Sequence, residues 1–153
     1  MTLNADVRAL KKVPLFAGVD DAKLRLLAFI SERVTFKASE RLVEQGEKGD
    51  AAYIILSGTA DVLIATDGGE QCVAQLKGND VVGEIAILID VPRTATVQAT
   101  SDIVALAVTK ENFFKLLNNF PDMAVEVMRV LAHRLERTTR DVARLRAQAG
   151  ASK

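Results

Sequence analysis

The stretch of sequence with the clearest chemical potential, residues 83–96, carries one carboxylate, Glu84, and one guanidinium, Arg93. Gly83 permits a close backbone approach, and the residues after it can form one helical turn whose N-terminus presents unpaired N–H groups to an anion. Pro92 ends this insertion, so Arg93 stands where the chain doubles back towards the start of the turn. A guanidinium in that position can pair with a phosphate. The stretch therefore predicts a phosphate cradle.

Both charged residues also have ordinary structural interpretations. Glu84 in the first turn of a helix is stabilised by the helix dipole, whatever the protein does. Arg93 follows a proline and could be a simple exposed loop charge. Taken singly, neither residue establishes a ligand site.

Composition limits the functions open to the chain. Its 153 residues suffice for one domain with a core, and 20 basic and 20 acidic side chains cancel, so no overall charge attracts nucleic acid or a membrane. The only cysteine, Cys72, fits a reducing compartment, and we interpret it as a small buried hydrophobe. His133 is the only histidine, so no metal site or catalytic constellation is predicted. Residues 1–30 carry several charges and no signal-peptide core. We expect a cytoplasmic protein that is not an enzyme and needs no cofactor.

Hydrophobic periodicity divides the chain into a helical part at 1–32, a β-rich part at 33–108 and C-terminal helices at 109–149. In the middle part, short runs rich in Val, Ile, Thr and Tyr alternate with Gly, Asp and Asn, which is typical of antiparallel strands. The fold class is therefore predicted as mainly β with flanking helices, an antiparallel β-barrel or jelly roll in a single domain of residues 1–153. The clearest strands are predicted at 53–56, 60–65, 71–76, 95–99 and 103–108.

The flanking helices have recognisable caps and stops. Asp20 or Asp21 can cap an N-terminal helix, and Thr109 can cap a short helix after the last strand. Pro121 suits the first turn of a long C-terminal helix, because its missing N–H leaves no bond unmade there. That long helix is predicted to run to about Gln148, with Gly150 as its stop.

The cradle segment, Gly-Glu-Ile-Ala-Ile-Leu-Ile-Asp-Val-Pro-Arg-Thr-Ala-Thr, resembles the phosphate-binding cassette of the cyclic nucleotide-binding domain family. Upstream, residues 45–50 (Gln-Gly-Glu-Lys-Gly-Asp), the run Tyr-Ile-Ile at 53–55 and Gly58 are similar to the family's turns between barrel strands. The resemblance covers residues 13–145. The family includes bacterial catabolite-activator-type regulators, regulatory subunits of cyclic-nucleotide-dependent kinases and cyclic-nucleotide-gated channels.

The resemblance implies a ligand, cyclic AMP or cyclic GMP, and a role for each cassette residue. Arg93 would pair with the charged oxygens of the cyclic phosphate. Glu84 would accept a hydrogen bond from the ribose 2′-hydroxyl. After the close approach at Gly83, the anion nest would be completed by the backbone N–H groups of Ile85, Ala86 and Ala95.

Two places in the sequence bear on which base is bound. Thr94 stands where cyclic-GMP-selective kinase domains carry threonine, but many bacterial cyclic-AMP binders also carry Ser or Thr there, so Thr94 leaves the base open. Residues 135–142 resemble the dimer helix of catabolite-activator-type proteins. In those proteins a Thr-Ser pair at the place of Thr138 and Thr139 reaches the adenine amino group, with one hydroxyl from each protomer. This second resemblance favours cyclic AMP.

The long helix also predicts an oligomeric state. Apolar residues recur at alternating steps of three and four, which indicates a two-stranded coiled coil, and the alternative is one amphipathic helix packed on its own barrel. We favour a homodimer through this helix, because the surrounding arginines leave only a narrow apolar stripe. The positions of the stripe are Met128, Leu131, Leu135, Thr138, Val142 and Leu145.

Three functions remain open from the sequence. The first is a stand-alone cyclic nucleotide receptor that moves its C-terminal helix on binding and signals through an unknown protein effector. The second is a structural or interaction module with a degenerate ligand site, which the intact Glu84 and Arg93 argue against. The third is a cyclic nucleotide hydrolase, for which the sequence offers no metal ligands. Because no helix-turn-helix segment and no long apolar run are found, we expect no DNA binding by this chain alone and no membrane insertion.

Overall fold

The computed structural model describes residues 3–151. Helix α1 (Leu3–Lys11), a 3₁₀ turn (Pro14–Phe16) and helix α2 (Asp21–Ile30) precede the strands. A second 3₁₀ helix (Glu84–Ile87) lies between the sixth and seventh strands, and helices α3 (Lys110–Asn119) and α4 (Pro121–Ala151) follow the eighth. The strands are β1 (Glu32–Phe36), β2 (Arg41–Val43), β3 (Ala51–Ser57), β4 (Ala60–Thr66), β5 (Gly69–Leu76), β6 (Val81–Val82), β7 (Thr96–Ala99) and β8 (Ile103–Thr109).

The strands form two antiparallel four-stranded sheets, in the orders β1-β8-β3-β6 and β2-β7-β4-β5. Both sheets contribute to a core of small and β-branched side chains that includes Ile55, Val97, Ile103 and Ala105. The predicted fold class is therefore confirmed, in its jelly-roll form with two sheets. The five predicted strands correspond to β3, β4, β5, β7 and β8.

The helices pack on the side of β3 and β8 that faces away from this core. Alternate residues of these strands, such as Ile54 and Leu106, join a second core with the helices, in which the rings of Phe16 and Phe113 lie 5.7 Å apart. Strand β3 is thus buried on both of its faces, which explains its continuous apolar run. Both N-terminal caps proposed for the flanking helices are present: the Lys23 N–H donates to the Asp20 carboxylate at 3.0 Å, and the Asn112 N–H donates to the Thr109 hydroxyl at 3.1 Å.

The structure corrects two expectations. Helix α4 continues through Gly150 to Ala151, because one glycine costs a helix only about 1 kcal/mol and does not end it alone. Cys72 is exposed on β5 instead of buried. The N-terminal half of α4 packs on the domain, through Met123, Val127 and Leu131. Within residues 3–151, no helix is long and apolar enough to span a bilayer.

Candidate functional site

The predicted cradle lies where β6, at the edge of the first sheet, gives way to the second 3₁₀ helix. Gly83 caps this helix with φ +70° and ψ +35°, a left-handed conformation that glycine adopts at least cost. Ala86 and Ile87 are buried and anchor the helix in the core, while Ile85 is 38% exposed. The segment therefore leaves the sheet at Gly83 and holds Glu84 at the first position of a fixed turn.

The return segment of the cradle is held by the loop before β3. The Arg93 N–H donates to the Glu47 carbonyl at 2.8 Å, and the Gly46 N–H donates to the Arg93 carbonyl at 2.8 Å. A single β-bridge between Lys48 and Pro92 adds a third link. These backbone bonds fix where the Arg93 side chain begins.

The Arg93 guanidinium occupies a slot between two glycines. A Cβ atom at Gly49 would overlap its Nε, and a Cβ atom at Gly83 would overlap its Nη1. Its Nη2 donates to the Ala51 carbonyl at 2.7 Å. With the guanidinium in this position, neither glycine has room for a side chain.

The slot is electrostatically unfavourable for a cation that has no anion to pair with. Burial lowers the pKa of the Arg93 guanidinium, and Tyr53, Asp50 and Glu47 only partly oppose that effect. An arginine nevertheless stays protonated at neutral pH. The domain therefore keeps a desolvated positive charge at this point, at a cost to its stability that a bound anion would offset.

Glu84 faces the long C-terminal helix. Its side chain is only 16% exposed, and its Oε1 lies 3.2 Å from Nη1 of Arg134. Arg134 is a member of the site that sequence reasoning missed. The signal that could have found it is its place one helical turn before Thr138, on the helix face predicted to approach the ligand.

Two buried side-chain atoms of residues 3–151 have no hydrogen-bond partner, and both belong to the cradle. They are the acceptor Glu84 Oε2 and the donor Arg93 Nη1. Buried polar atoms are rarely left unpaired in a folded protein, because each costs about 1–3 kcal/mol. One unpaired acceptor and one unpaired donor are the complement of a ligand that brings both a hydroxyl and an anion.

A cavity of about 340 Å³ lies at the cradle. Its size falls in the range of small-molecule sites. Its lining contains the predicted residues Gly83, Glu84, Ile85, Ala86, Arg93 and Thr94, together with Val81, Val91 and Pro92.

A cleft of about 400 Å³ lies between the loop before α2 and the start of α4. Four of the charged side chains along it already pair with one another, Lys23 with Asp20 at 3.0 Å and Arg129 with Glu126. No atom in that cleft is both buried and unpaired among the described residues. We therefore assign the candidate site to the cradle.

The structure brings the cassette residues together, but it does not bring Thr138 and Thr139 to them. Both threonines are exposed on α4, where their hydroxyls donate to the carbonyls of Arg134 (2.9 Å) and Leu135 (3.0 Å). Of the backbone groups expected in the anion nest, the Ala86 N–H donates to the Gly83 carbonyl at 3.1 Å, so it would have to share that bond with a ligand. Ala95 is half-buried just before β7.

Comparisons with known proteins agree with this geometry. The sequence profile described as the cyclic nucleotide-binding domain matches residues 33–120. A CRP-like cAMP-activated global transcriptional regulator of Mycobacterium tuberculosis is 28% identical over 89% of this chain and 61% of its own. A cAMP-dependent protein kinase regulatory subunit of Mucor circinelloides is 36% identical over 74% of this chain and 27% of its own. The chain thus spans less than two thirds of these curated relatives.

Among solved structures, the N-terminal domain of a transcriptional regulator from Streptomyces coelicolor superposes with a TM-score of 0.81. It is 29% identical, and the match covers 85% of this chain and 94% of that one. The similarity therefore extends over nearly the whole of that domain.

Proposed function

Because the chain belongs to the cyclic nucleotide-binding domain family, we propose that it is a receptor that binds a 3′,5′-cyclic nucleotide in the cradle and does not turn it over. The observation that carries this proposal is the pair of unpaired buried atoms, Glu84 Oε2 and Arg93 Nη1. The family binds its nucleotide as a ligand and not as a cofactor. The exposed Cys72, the only cysteine of the chain, suits a reducing compartment such as the cytoplasm.

A cyclic nucleotide satisfies both atoms at once. Its phosphate oxygens accept from Arg93, and its free 2′-hydroxyl donates to Glu84. The same phosphate compensates the desolvated guanidinium, so ligand binding relieves a cost that the free protein carries. Gly83, Ile85, Ala86 and Ala95 contribute backbone, and Thr94 borders the cavity.

The proposed preference for cyclic AMP over cyclic GMP is supported by how the hydroxyls of Thr138 and Thr139 are oriented. Their protons are committed to helix carbonyls, so their oxygens are presented as acceptors. The adenine 6-amino group is a donor and fits such oxygens, whereas guanine has a carbonyl acceptor at that place. The preference therefore follows if these threonines, from one or both protomers, contact the base.

We place the second protomer along α4. The predicted stripe is largely exposed, with Met128 59%, Leu135 69%, Val142 45% and Leu145 60% accessible. A stripe this apolar on a helix of 31 residues favours a coiled-coil homodimer over packing on the chain's own sheets.

The signalling step is supported by the contact between Glu84 and Arg134. Glu84 pairs with Arg134 of α4 in this structure. A ribose hydroxyl that bonds to the same carboxylate therefore alters the interaction between Glu84 and Arg134. Binding would thus shift the position of α4, and a protein effector would read the shift. A degenerate module that has lost its ligand is the second candidate, and it predicts no nucleotide binding.

Melting temperatures measured by differential scanning calorimetry with cyclic AMP, cyclic GMP and linear AMP test the proposal. A ligand that binds only the folded state stabilises it by mass action, by about 2.7 kcal/mol at a hundredfold excess over Kd, and so raises the melting temperature. We expect a shift with cyclic nucleotides, a smaller one with linear AMP, and recovery of intact ligand afterwards. No shift with any of them would favour the degenerate module, and loss of ligand would indicate a hydrolase.

Replacing both Thr138 and Thr139 with alanine should narrow the preference for cyclic AMP over cyclic GMP by about tenfold, which is the loss of one hydrogen bond of ordinary strength. Calorimetry with both nucleotides measures the ratio. Ser101→Ala provides the matched control, because it removes a hydroxyl on the turn before β8 that accepts from the Thr59 N–H at 3.0 Å and lies outside α4 and the cavity lining. An unaltered ratio in the threonine variant would remove α4 from the base site.

Gly83→Ala should weaken cyclic AMP binding by more than about tenfold, because the new methyl group displaces the guanidinium that binds the phosphate. Part of any effect on stability comes from the positive φ alone, at about 1–2 kcal/mol. Gly69→Ala separates the two effects, since Gly69 has φ +105° but open space around it. Both variants should lose stability, and only Gly83→Ala should lose affinity. Equal affinities would contradict the position assigned to Arg93.

A further inference from the structure

The outer side of α2 carries an apolar stripe that nucleotide binding does not use. This helix buries one face against the core, yet its opposite face is also apolar. Leu26 is 42% exposed and Phe29 is 78% exposed, and the exposed Ala22 lies one turn before Leu26. Steps of four and three residues align these side chains along the helix. A phenylalanine this exposed indicates a surface that something else covers.

Helix α1 borders this stripe on one side. The two helices run antiparallel, as shown by the ion pair of Lys11 with Asp21 at 2.7 Å and by the bond from Arg25 to Asn4 at 3.4 Å. Arg8 lies between Asn4 and Lys11 on the same exposed face of α1. The stripe of α2 and the polar face of α1 therefore form one continuous surface.

The border of the stripe is positively charged. Arg8 and Lys12 are exposed and form no ion pair within residues 3–151, and Arg25 contacts only the neutral amide of Asn4 there. The two acidic residues nearby, Asp20 and Asp21, are compensated by lysines. Two uncompensated cations, Arg8 and Arg25, thus lie beside the apolar ridge, and Lys12 follows the end of α1, although the chain as a whole is neutral.

We propose that this α1–α2 surface docks an acidic amphipathic helical segment of a partner protein. The apolar side of such a helix would pack along Ala22, Leu26 and Phe29, and its flanking carboxylates would meet Arg8, Lys12 and Arg25. The aromatic side chain would be the anchor, since aromatic residues and arginines supply most hot spots.

Two other occupants fit less well. A second copy of the chain would bring the same basic border against itself, because a two-fold interface is self-complementary. A membrane surface calls for a broad apolar face, whereas the exposed apolar residues of α2 are limited to Ala22, Leu26, Phe29 and Ile30.

The surface is preformed on a rigid part of the domain. Asp6, which is buried at 7% exposure, accepts two hydrogen bonds from Arg33, at 2.8 and 2.9 Å, and these tie α1 to β1. The buried Leu10 and Leu24 fix both helices in the core. Docking therefore needs no rearrangement of α1 and α2, and it does not depend on a nucleotide in the cradle.

The test uses a capped synthetic helical peptide with leucines at i, i+4, i+7 and i+11 and glutamates beside them, titrated into the full chain. The same peptide with lysine in place of glutamate tests the charge. We expect the acidic peptide alone to bind and to perturb amide resonances of α1 and α2. Phe29→Ser should weaken its binding by about tenfold or more, and so should Arg8→Glu with Lys12→Glu.

Val73→Ser is the matched control, because Val73 is 54% exposed on β5 and its loss should leave the peptide affinity unchanged. The proposal is overturned if the acidic peptide does not bind, if Phe29→Ser binds it as tightly as the wild type, or if the perturbed resonances lie outside α1 and α2. Co-sedimentation with phosphatidylglycerol vesicles that is lost in Phe29→Ser would likewise overturn it, in favour of a membrane surface.

Discussion

Arg93→Leu is expected to abolish measurable binding of cyclic AMP while leaving the domain folded. Truncating one partner of a buried charge pair costs about 2–5 kcal/mol, which corresponds to a loss of about thirtyfold to several thousandfold in affinity. The ligand-free domain should lose little stability, because Arg93 Nη1 has no hydrogen-bond partner and only Nη2 donates, to the Ala51 carbonyl. Removing a desolvated charge even offsets part of that lost bond, so the melting temperature should be unchanged or slightly higher. Isothermal titration and a thermal melt of the same sample measure both effects.

Two companion variants make this result specific. Arg41→Leu removes an arginine that pairs with Glu70 at 3.0 Å on the second sheet, and its cyclic AMP affinity should match the wild type. Arg93→Lys keeps the charge but not the fork that reaches both the Ala51 carbonyl and a phosphate, so its affinity should fall between the other two. Undiminished affinity in Arg93→Leu would show that the phosphate binds elsewhere.

The parts of the fold that the sequence predicted are those with strong local signals. Four of the five predicted strands carry two or more β-branched residues, and the caps at Asp20 and Thr109 have the required side chains. The missed strands lack such signals. Strand β1 (Glu-Arg-Val-Thr-Phe) is largely exposed and polar, β2 has three residues and β6 has two. Such strands exist because their neighbours pair with them, which is a tertiary effect that local propensity does not carry.

The cradle was predictable for a similar reason, since its residues lie in one contiguous stretch with a glycine, a proline and two charges at fixed spacing. The contacts that join distant segments were not predictable. Gly49 forms one wall of the guanidinium slot, and Arg134 pairs with Glu84 across a sequence separation that no local pattern spans. The exposure of Cys72 belongs to the same class, because β5 is an edge strand whose burial depends on what lies beside it.

Glu84→Ala is expected to remove the preference for a ribose over a 2′-deoxyribose. In the wild type, deleting the 2′-hydroxyl leaves the buried carboxylate oxygen Oε2 unpaired, which costs about 1.5–3 kcal/mol, or roughly ten- to a hundredfold in affinity. The alanine variant has no carboxylate to accept a hydrogen bond from the 2′-hydroxyl, so cyclic AMP and 2′-deoxy cyclic AMP should bind with equal affinity. Titrating both ligands into both proteins closes a double-mutant cycle, and its coupling energy isolates this one bond.

The same measurements also separate recognition of the ribose by Glu84 from the ion pair of Glu84 with Arg134 on α4. Arg134→Ala removes the cation at 3.2 Å from Glu84 Oε1 but leaves Oε2 in place, so the preference for ribose should survive in that variant. Glu126→Ala removes a carboxylate paired with Arg129 on the same helix. This variant should change neither the affinity for cyclic AMP nor the preference for ribose. If Glu84→Ala still discriminated between the two ligands, the hydroxyl would have its acceptor elsewhere and the nucleotide would lie in the cradle in another orientation. If Arg134→Ala alone erased the preference, Glu84 would act by positioning α4 and not by contacting the ribose.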